Sequence, residues 1–429
     1  MIISFCPFSF AEEPESKPLF RDFMGVNGHT VNFRPKLYAE TCRLVRDYHG
    51  LNWDVGDETH YVPQFPFARN RVNWQDLYGS WKQEGFEIDV SIMFGGISAE
   101  QWTDLEKDAN AYGISFARFF GPSSELKLVI SAEIGNEPGH YDDATYRKLF
   151  ESMAQGLREG DPKLKILTCN MTTEKSDKYA RSLDSLRGLE SLYDVINIHV
   201  YAFVEGWPTW RRSFPEDPNI DYLKFIENVI AWRDQNAKGK EIWITEFGWD
   251  ASTKQPPSEG DFARWEDVSD LQQAQYLVRS FLVFSKMDVE RAYIYFFDDM
   301  DDPHLHGSSG LTRNFEPKPS FYAVAHLYKT MANYRFHKVI TEKVDELYIY
   351  EFIHEDDPGR RILAIWSPTC SGREDSAKIP LNGGKILEAT RISFSADDST
   401  IVDTHIDCDY LEIKYDESPV FVSIQYENK

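Results

Sequence analysis

Positive charge is scarce in this chain. Of its 429 residues, 46 are Lys or Arg against 70 Asp or Glu, a formal net charge of −24 at pH 7. No basic stripe is present to neutralise phosphates, which excludes a nucleic-acid partner. A polyanionic substrate is less firmly excluded, because a local cluster of Arg and Lys could still face one. The plain role of the charge is solubility. Cysteine is also rare, with Cys6, Cys42, Cys169, Cys370 and Cys408 and no metal-ligand spacing among them. Cys42 is expected on a helix and Cys169 on a strand, both as buried thiols, whereas Cys370 and Cys408 could pair if the protein is exported. Beyond the N-terminus no segment approaches the ~20 uninterrupted apolar residues of a membrane span, so no membrane partner is expected. Residues 1–17 read as a leader-like segment, apolar from Met1 to Ala11 but short and without a basic start. That points to a secreted or periplasmic protein, with a cytoplasmic one as the alternative.

What is present is a large apolar and aromatic complement, 42% and 14% of the residues. A chain of this length can bury a sizeable core and hold two domains. From 18 to 334, strand-like runs alternate with amphipathic helices. Phe23–Asn27 reads as strand one, Pro35–Tyr48 as a helix, Leu51–Asp57 as strand two and Phe86–Phe94 as strand three. Leu126–Asn136 reads as strand four, and Lys165–Asn170, Val195–Tyr201, Glu241–Glu246 and Arg291–Phe297 as strands five to eight. Helices fit at 73–85, 98–120, 143–159, 182–192, 222–235, 271–287 and 320–331. The strands are apolar runs without clean alternation, as parallel strands covered on both faces should be. Eight βα units predict an α/β fold, a (β/α)₈ TIM barrel. Residues 335–429 change texture, with short β-rich runs at 347–353, 361–367, 385–392, 410–415 and 420–426. They predict a small all-β, sandwich-like accessory domain that buttresses the barrel, or else binds carbohydrate.

Two stretches carry the chemistry, Ile-Gly-Asn-Glu-Pro at 134–138 and Ile-Thr-Glu-Phe-Gly-Trp at 244–249. Each ends a strand-like run on a glutamate, and the two are far enough apart for three intervening βα units. Glu137 and Glu246 would then face each other from strands four and seven across the barrel mouth. Glycosidic cleavage needs such a pair: one carboxylic acid protonates the leaving oxygen while a carboxylate attacks or stabilises the anomeric carbon. Asn136 offers both a donor and an acceptor for a sugar hydroxyl. No metal or cofactor is required, and the expected partner is a carbohydrate substrate.

Asn-Glu-Pro with Thr-Glu-Phe-Gly-Trp resembles the retaining glycoside hydrolases of clan A, and 132–138 is similar to the Trp-Glu-Ile-Trp-Asn-Glu-Pro form of family 39 and its neighbours. The resemblance implies Glu137 as acid/base, Glu246 as nucleophile and Asn136 as partner of the sugar 2-hydroxyl. It implies retention, and hence carboxyls about 5–5.5 Å apart rather than the roughly 6.5–9.5 Å of inverting enzymes. Two departures stand out: Gly135 replaces a bulky residue, and strand eight lacks the tryptophan common in the clan. Clan members also place an arginine on strand two, where this reading finds only Asp54 and Asp57, with no role for either.

Further candidates are weaker. His199 and Tyr201 end strand six on one face; Tyr201 is expected to hydrogen-bond Glu246, while His199 serves the site or sits satisfied in the core. Glu133 reads as a buried, paired carboxylate. His29 follows strand one, where it could bind sugar. Asn170 lies in a glycosylation sequon, but its strand-end position argues for a cleft residue. Trp207, Trp210 and Trp249 are candidates for sugar stacking or for packing. Arg211 and Arg212 either meet an acidic sugar or face solvent. The acidic loop at 298–302 is expected to bind sugar hydroxyls through Asp298, ahead of a solvated loop or a metal. The rivals to a hydrolase are a carbohydrate-binding protein that has lost turnover and a transglycosylase using the same intermediate.

Overall fold

The computed structural model describes residues 17–427, so Cys6 and all but Lys17 of the leader-like segment lie outside the described residues. Eight parallel strands close into a barrel: β1 (Met24–Asn27), β2 (Leu44–Gly50), β3 (Glu87–Met93), β4 (Ser131–Ile134), β5 (Lys165–Thr172), β6 (Val195–His199), β7 (Glu241–Phe247) and β8 (Arg291–Ile294). Neighbours pair in chain order, and β8 returns to β1 with Met24 opposite Ala292. Inside, Leu44, Leu167, Val195, Trp243 and Tyr293 pack as one layer near the bottom. Outward-facing Val26, Val45, Ile88, Ile196, Ile242 and Ile244 join the core beneath the helices. Among the described residues no helix is long and apolar enough to cross a membrane.

The second βα unit departs from the sequence-based expectation. The helix ends at Tyr38, β2 is Leu44–Gly50, and Leu51–Val55 is a short helix rather than strand two. The reason is polarity inside the barrel. On β2 the inward positions carry Arg46 and Tyr48, whereas Asp47 and His49 face outward and bond the Tyr78 hydroxyl at 2.7 and 2.9 Å. A strand polar on both faces lacks the apolar run by which its neighbours are read. Cys42 accordingly lies in the turn before β2, buried but not helical. Cys169 is buried on β5, and Cys370 and Cys408 are exposed free thiols. The helix expected at 182–192 is only a single turn, Leu183–Leu186.

Beyond the last barrel helix, Pro319–Met331, come two antiparallel sheets. A five-stranded sheet is ordered Tyr334–Lys343, Leu347–His354, Arg360–Trp366, Val420–Gln425, Lys385–Arg391. Three shorter strands, Asp375–Pro380, Tyr410–Tyr415 and His405–Asp407, form the second. Alternation divides the larger sheet: Ile349, Leu363, Ile365, Val422 and Ile424 pack towards the small sheet. Tyr348, Tyr350, Phe352, Trp366 and Phe421 enter the same core as the barrel. One face is therefore given over to buttressing.

A buried ion pair fastens this junction. Arg279, on the barrel helix Asp270–Lys286, donates through Nε to both oxygens of Glu216 at 3.0 and 3.1 Å and through a terminal nitrogen to the Thr369 carbonyl at 2.8 Å. The Trp366 indole donates to Glu216 at 2.7 Å. Both charged side chains are fully buried. Replacing Arg279 by Met should leave Glu216 charged and unpaired and lower unfolding stability by roughly 3–5 kcal/mol. Denaturant unfolding checks this; a loss below about 1 kcal/mol, as for an exposed pair, would contradict it.

Candidate active site

Both glutamates reach the mouth through local breaks in strand regularity. On β7, Trp243 and Thr245 point inward, so strict alternation would turn Glu246 outward with Ile244. The pairing shifts register instead, with Ile198 opposite Ile244 but His199 opposite Glu246. This bulge puts an extra residue in β7 and re-aims the carboxylate into the barrel. On β4, Gly135 follows the last strand residue with φ +85°, and a Cβ there would lie 2.7 Å from the Phe94 ring. Glycine at that position turns the chain so that Asn136 and Glu137 face the cavity. The missing bulky residue thus has a steric cause. A carboxylate oxygen of Glu137 and one of Glu246 lie within 4.8 Å of each other, at the floor of a cavity of about 890 Å³.

Beneath them sits Arg46, and each of its five N–H groups has an acceptor. Nε and one terminal nitrogen grip Glu133 at 2.7 and 2.9 Å. The remaining donors reach Asn27 Oδ1 at 2.8 Å, Asn136 Oδ1 at 2.7 Å and Glu246 Oε1 at 3.3 Å. The Asn136 oxygen is thereby committed to Arg46, which leaves its amide NH₂ for the cavity. Glu246 also accepts from Tyr48 at 2.6 Å and Tyr201 at 2.8 Å. Burial by itself would raise the Glu246 pKa, but His199, Arg46 and the two phenols outweigh it and hold the carboxyl below its ordinary value. Burial, then the charge of Glu246, pushes both phenols well up, so they stay protonated donors.

His199 links the pair, its Nδ1 lying 2.9 Å from Glu137 and 3.5 Å from Glu246. Among the described residues, Glu137, His199 and Glu246 form the grouping whose ligand atoms could reach one cation. Their environments differ, with the Glu246 side chain 7% exposed and that of Glu137 28%. Burial and then Arg212 bring His306, also at the wall, down to about 4, and burial lowers His29.

The structure gathers Glu137, Glu246, Asn136, His29, Asn170, His199, Tyr201 and Trp210 around this one cavity. The Asn170 amide is already engaged: its oxygen accepts from the His199 backbone at 2.8 Å and its nitrogen donates to the Tyr179 carbonyl at 3.2 Å. It braces His199, and at 5% exposure it offers no surface for glycosylation. Three candidates fall elsewhere. Trp249 is fully buried, donating to the Ser213 carbonyl at 2.7 Å, so it packs rather than stacks on sugar. Trp207 is 67% exposed and outside the cavity wall. Asp298 is consumed by its own loop, accepting from Thr312 Oγ1 and the Phe315 backbone, both at 2.6 Å. Asp299 and Asp301 are likewise spent, on Lys318 and on Ser252 and Thr253. Arg211 faces solvent beside Glu266, and Arg212 is buried against Asp250.

Sequence reasoning missed Arg46, Tyr48, Trp53, Tyr295 and His306. Strand two is Leu44–Gly50 rather than 51–57, and it does carry an arginine, Arg46. The only signal was the short apolar start Leu44-Val45, which Arg46, Asp47 and His49 break at once. Asp54 is instead buried among His49, Trp74 and Tyr112, each bonded to it at 2.7 Å. Tyr295, just after β8, lines the cavity at the strand end that lacks the tryptophan common in the clan.

Neither protein-family models nor curated protein sequences match the chain. Solved structures do match in fold. One is a family 39 glycoside hydrolase from the gut symbiont Bacteroides cellulosilyticus WH2, with a TM-score of 0.71 at 16% identity over 95% of this chain and 81% of that one. A glucosidase from Croceicoccus marinus superposes with a TM-score of 0.67 at 13% identity, covering 96% and 98% of the two chains. A family 51 alpha-L-arabinofuranosidase from Bifidobacterium longum gives 0.63 at 14% identity, over 96% and 97%. The chain therefore shares its barrel and β-rich C-terminal part with the clan A glycoside hydrolases that its two glutamate motifs resemble.

Proposed function

We propose that this protein is a retaining β-glycoside hydrolase that cleaves a poly- or oligosaccharide by double displacement. The observation that carries the reading is the pair itself: two carboxylates with oxygens within 4.8 Å, one buried among three donors and the other more open. Inversion needs a water between the carboxyls and a separation of roughly 6.5–9.5 Å. The closeness of the two carboxyls favours direct attack by Glu246 over an interposed water, and the donors that hold its pKa below the ordinary value favour the ionised form that step needs.

In the first step Glu137 protonates the glycosidic oxygen as Glu246 bonds to the anomeric carbon and the aglycone leaves. In the second, Glu137 takes a proton from water, which attacks the same carbon and releases Glu246. The Asn136 NH₂ group, turned to the cavity by Arg46, suits the sugar 2-hydroxyl. Arg46, Tyr48 and Tyr201 receive negative charge back on Glu246 as the intermediate breaks down.

NMR of the first-formed product should show retained anomeric configuration, and an inverted product would overturn the mechanism. Glu246→Ala should abolish turnover. Glu137→Ala should slow substrates with poor leaving groups by about 10²–10⁴, the usual worth of general acid catalysis, while dinitrophenyl glycosides still give a burst of released phenol. No burst would remove Glu137 from its assigned role.

The pH profile follows from the direction of the Glu246 shift. Its carboxylate is lost only as pH falls through a pKa below the ordinary glutamate value of about 4.3, so the acid limb of kcat/KM should have its midpoint below that. Tyr201→Phe removes a donor to the charged form and should move the midpoint up by roughly one unit. An unmoved limb would show that another group titrates there.

A further inference from the structure

Apart from its histidines, the ionisable side chains that could charge the cavity wall are carboxylic acids. Asp221 joins Glu137 and Glu246, and among the described residues no Lys or Arg lines it. Two arginines lie behind the wall rather than on it. All five Arg46 N–H groups are taken. Arg212 pairs with Asp250 at 3.3 Å and is roofed by the rings of Tyr201 and Phe203, 4.6 and 5.0 Å from its guanidinium carbon.

Three polar atoms of wall residues, by contrast, are buried without a hydrogen-bond partner: His29 Nε2, His199 Nε2 and Trp210 Nε1. Each ring is held in place. His29 stacks on Phe296 at 4.9 Å. His199 is tied to Glu137 at 2.9 Å. Trp210 sits edge-on to Phe203, in a loop closed by backbone bonds from Trp210 to Gly206 and from Ser213 to Ala202. Buried polar groups without partners are uncommon, and a ligand rich in hydroxyls would complete these three. Burial lowers the His29 pKa, which leaves it a neutral imidazole able to donate or accept.

We infer that this cavity takes uncharged sugars, read by His29, His199 and Trp210, and rejects uronic and sulfated ones. The inference rests on the glycosidase reading for its site but not for its sign. A carboxylate or sulfate in this cavity would meet the ionised Glu246 and Asp221 and, among the described residues, no lysine or arginine on the wall to pair with.

The test compares aryl β-glycosides that differ only at C6, glucoside against glucuronide and galactoside against its 6-sulfate. Calorimetric binding of neutral and uronic oligosaccharides to the wild-type protein runs in parallel. A preference for the neutral member of at least roughly 100-fold in kcat/KM is expected, since like charges brought together cost several kcal/mol. Equal or better use of the acidic member overturns the inference. If no aryl glycoside is turned over, the glycosidase reading fails, and binding alone decides: neutral-only binding upholds the inference and uronate binding overturns it. Val31→Lys adds a cation to the wall and should narrow the gap at least about tenfold. An unchanged ratio would show that charge is not the basis of the selection. Trp210→Phe keeps a ring but loses the N–H, and should raise KM for neutral substrates about tenfold. An unchanged KM would remove Trp210 from recognition.

Discussion

The guanidinium of Arg46 is the point on which the site depends. Buried inside the barrel, it binds Glu133 in a bidentate grip and also reaches Asn27, Asn136 and Glu246. Burying two charges is expensive, and such a pair is weak evidence for net stability. Its value here is geometric. A planar fork with five fixed donors orients its acceptors in a way that a lysine ammonium could not. The Asn136 amide is turned by it, one oxygen of Glu246 is held by it, and Glu133 supplies the compensating charge. Glu133 is therefore a buried partner of Arg46, as the sequence reading had it.

From this arrangement two chemically identical side chains acquire different characters. Glu246 lies within a shell of donors, with Arg46 below and Tyr48 and Tyr201 on its two oxygens. Glu137 is more exposed and keeps company chiefly with His199. Division of labour between paired carboxyls arises from environments that differ in this way. The remaining wall is largely aromatic and apolar, with a few polar groups whose neighbours hold them in place.

The β-rich part supports this precision from behind. Its inner face shares the barrel's core, and Arg279 joins the helix after β7, the Glu216 segment after β6 and the Thr369 carbonyl in one buried cluster. The segment bearing Trp210 and Arg212 is thus braced at its far end as well as against Asp250. Loops on a barrel carry specificity only when the scaffold holds them still.

Much of this was legible in the chain itself. Glu137 and Glu246 could be named because each closes a buried strand within a short motif, and the barrel could be counted because parallel strands are apolar on both faces. The same rule hid β2, whose inward Arg46 and Tyr48 and outward Asp47 and His49 break the apolar run. The acidic loop at 298–302 and Trp249 misled in the opposite sense, since composition cannot tell a carboxylate spent on its own loop from one offered to a ligand. Local patterning thus determined the architecture and singled out the two glutamates, because both are written in the periodicity of a few residues. Only the tertiary structure decided that a bulge turns Glu246 inward, that Arg46 binds four neighbours at once, and that among the described residues no lysine or arginine lines the wall. Those facts depend on residues from different strands meeting in space, where no local sequence pattern records the encounter.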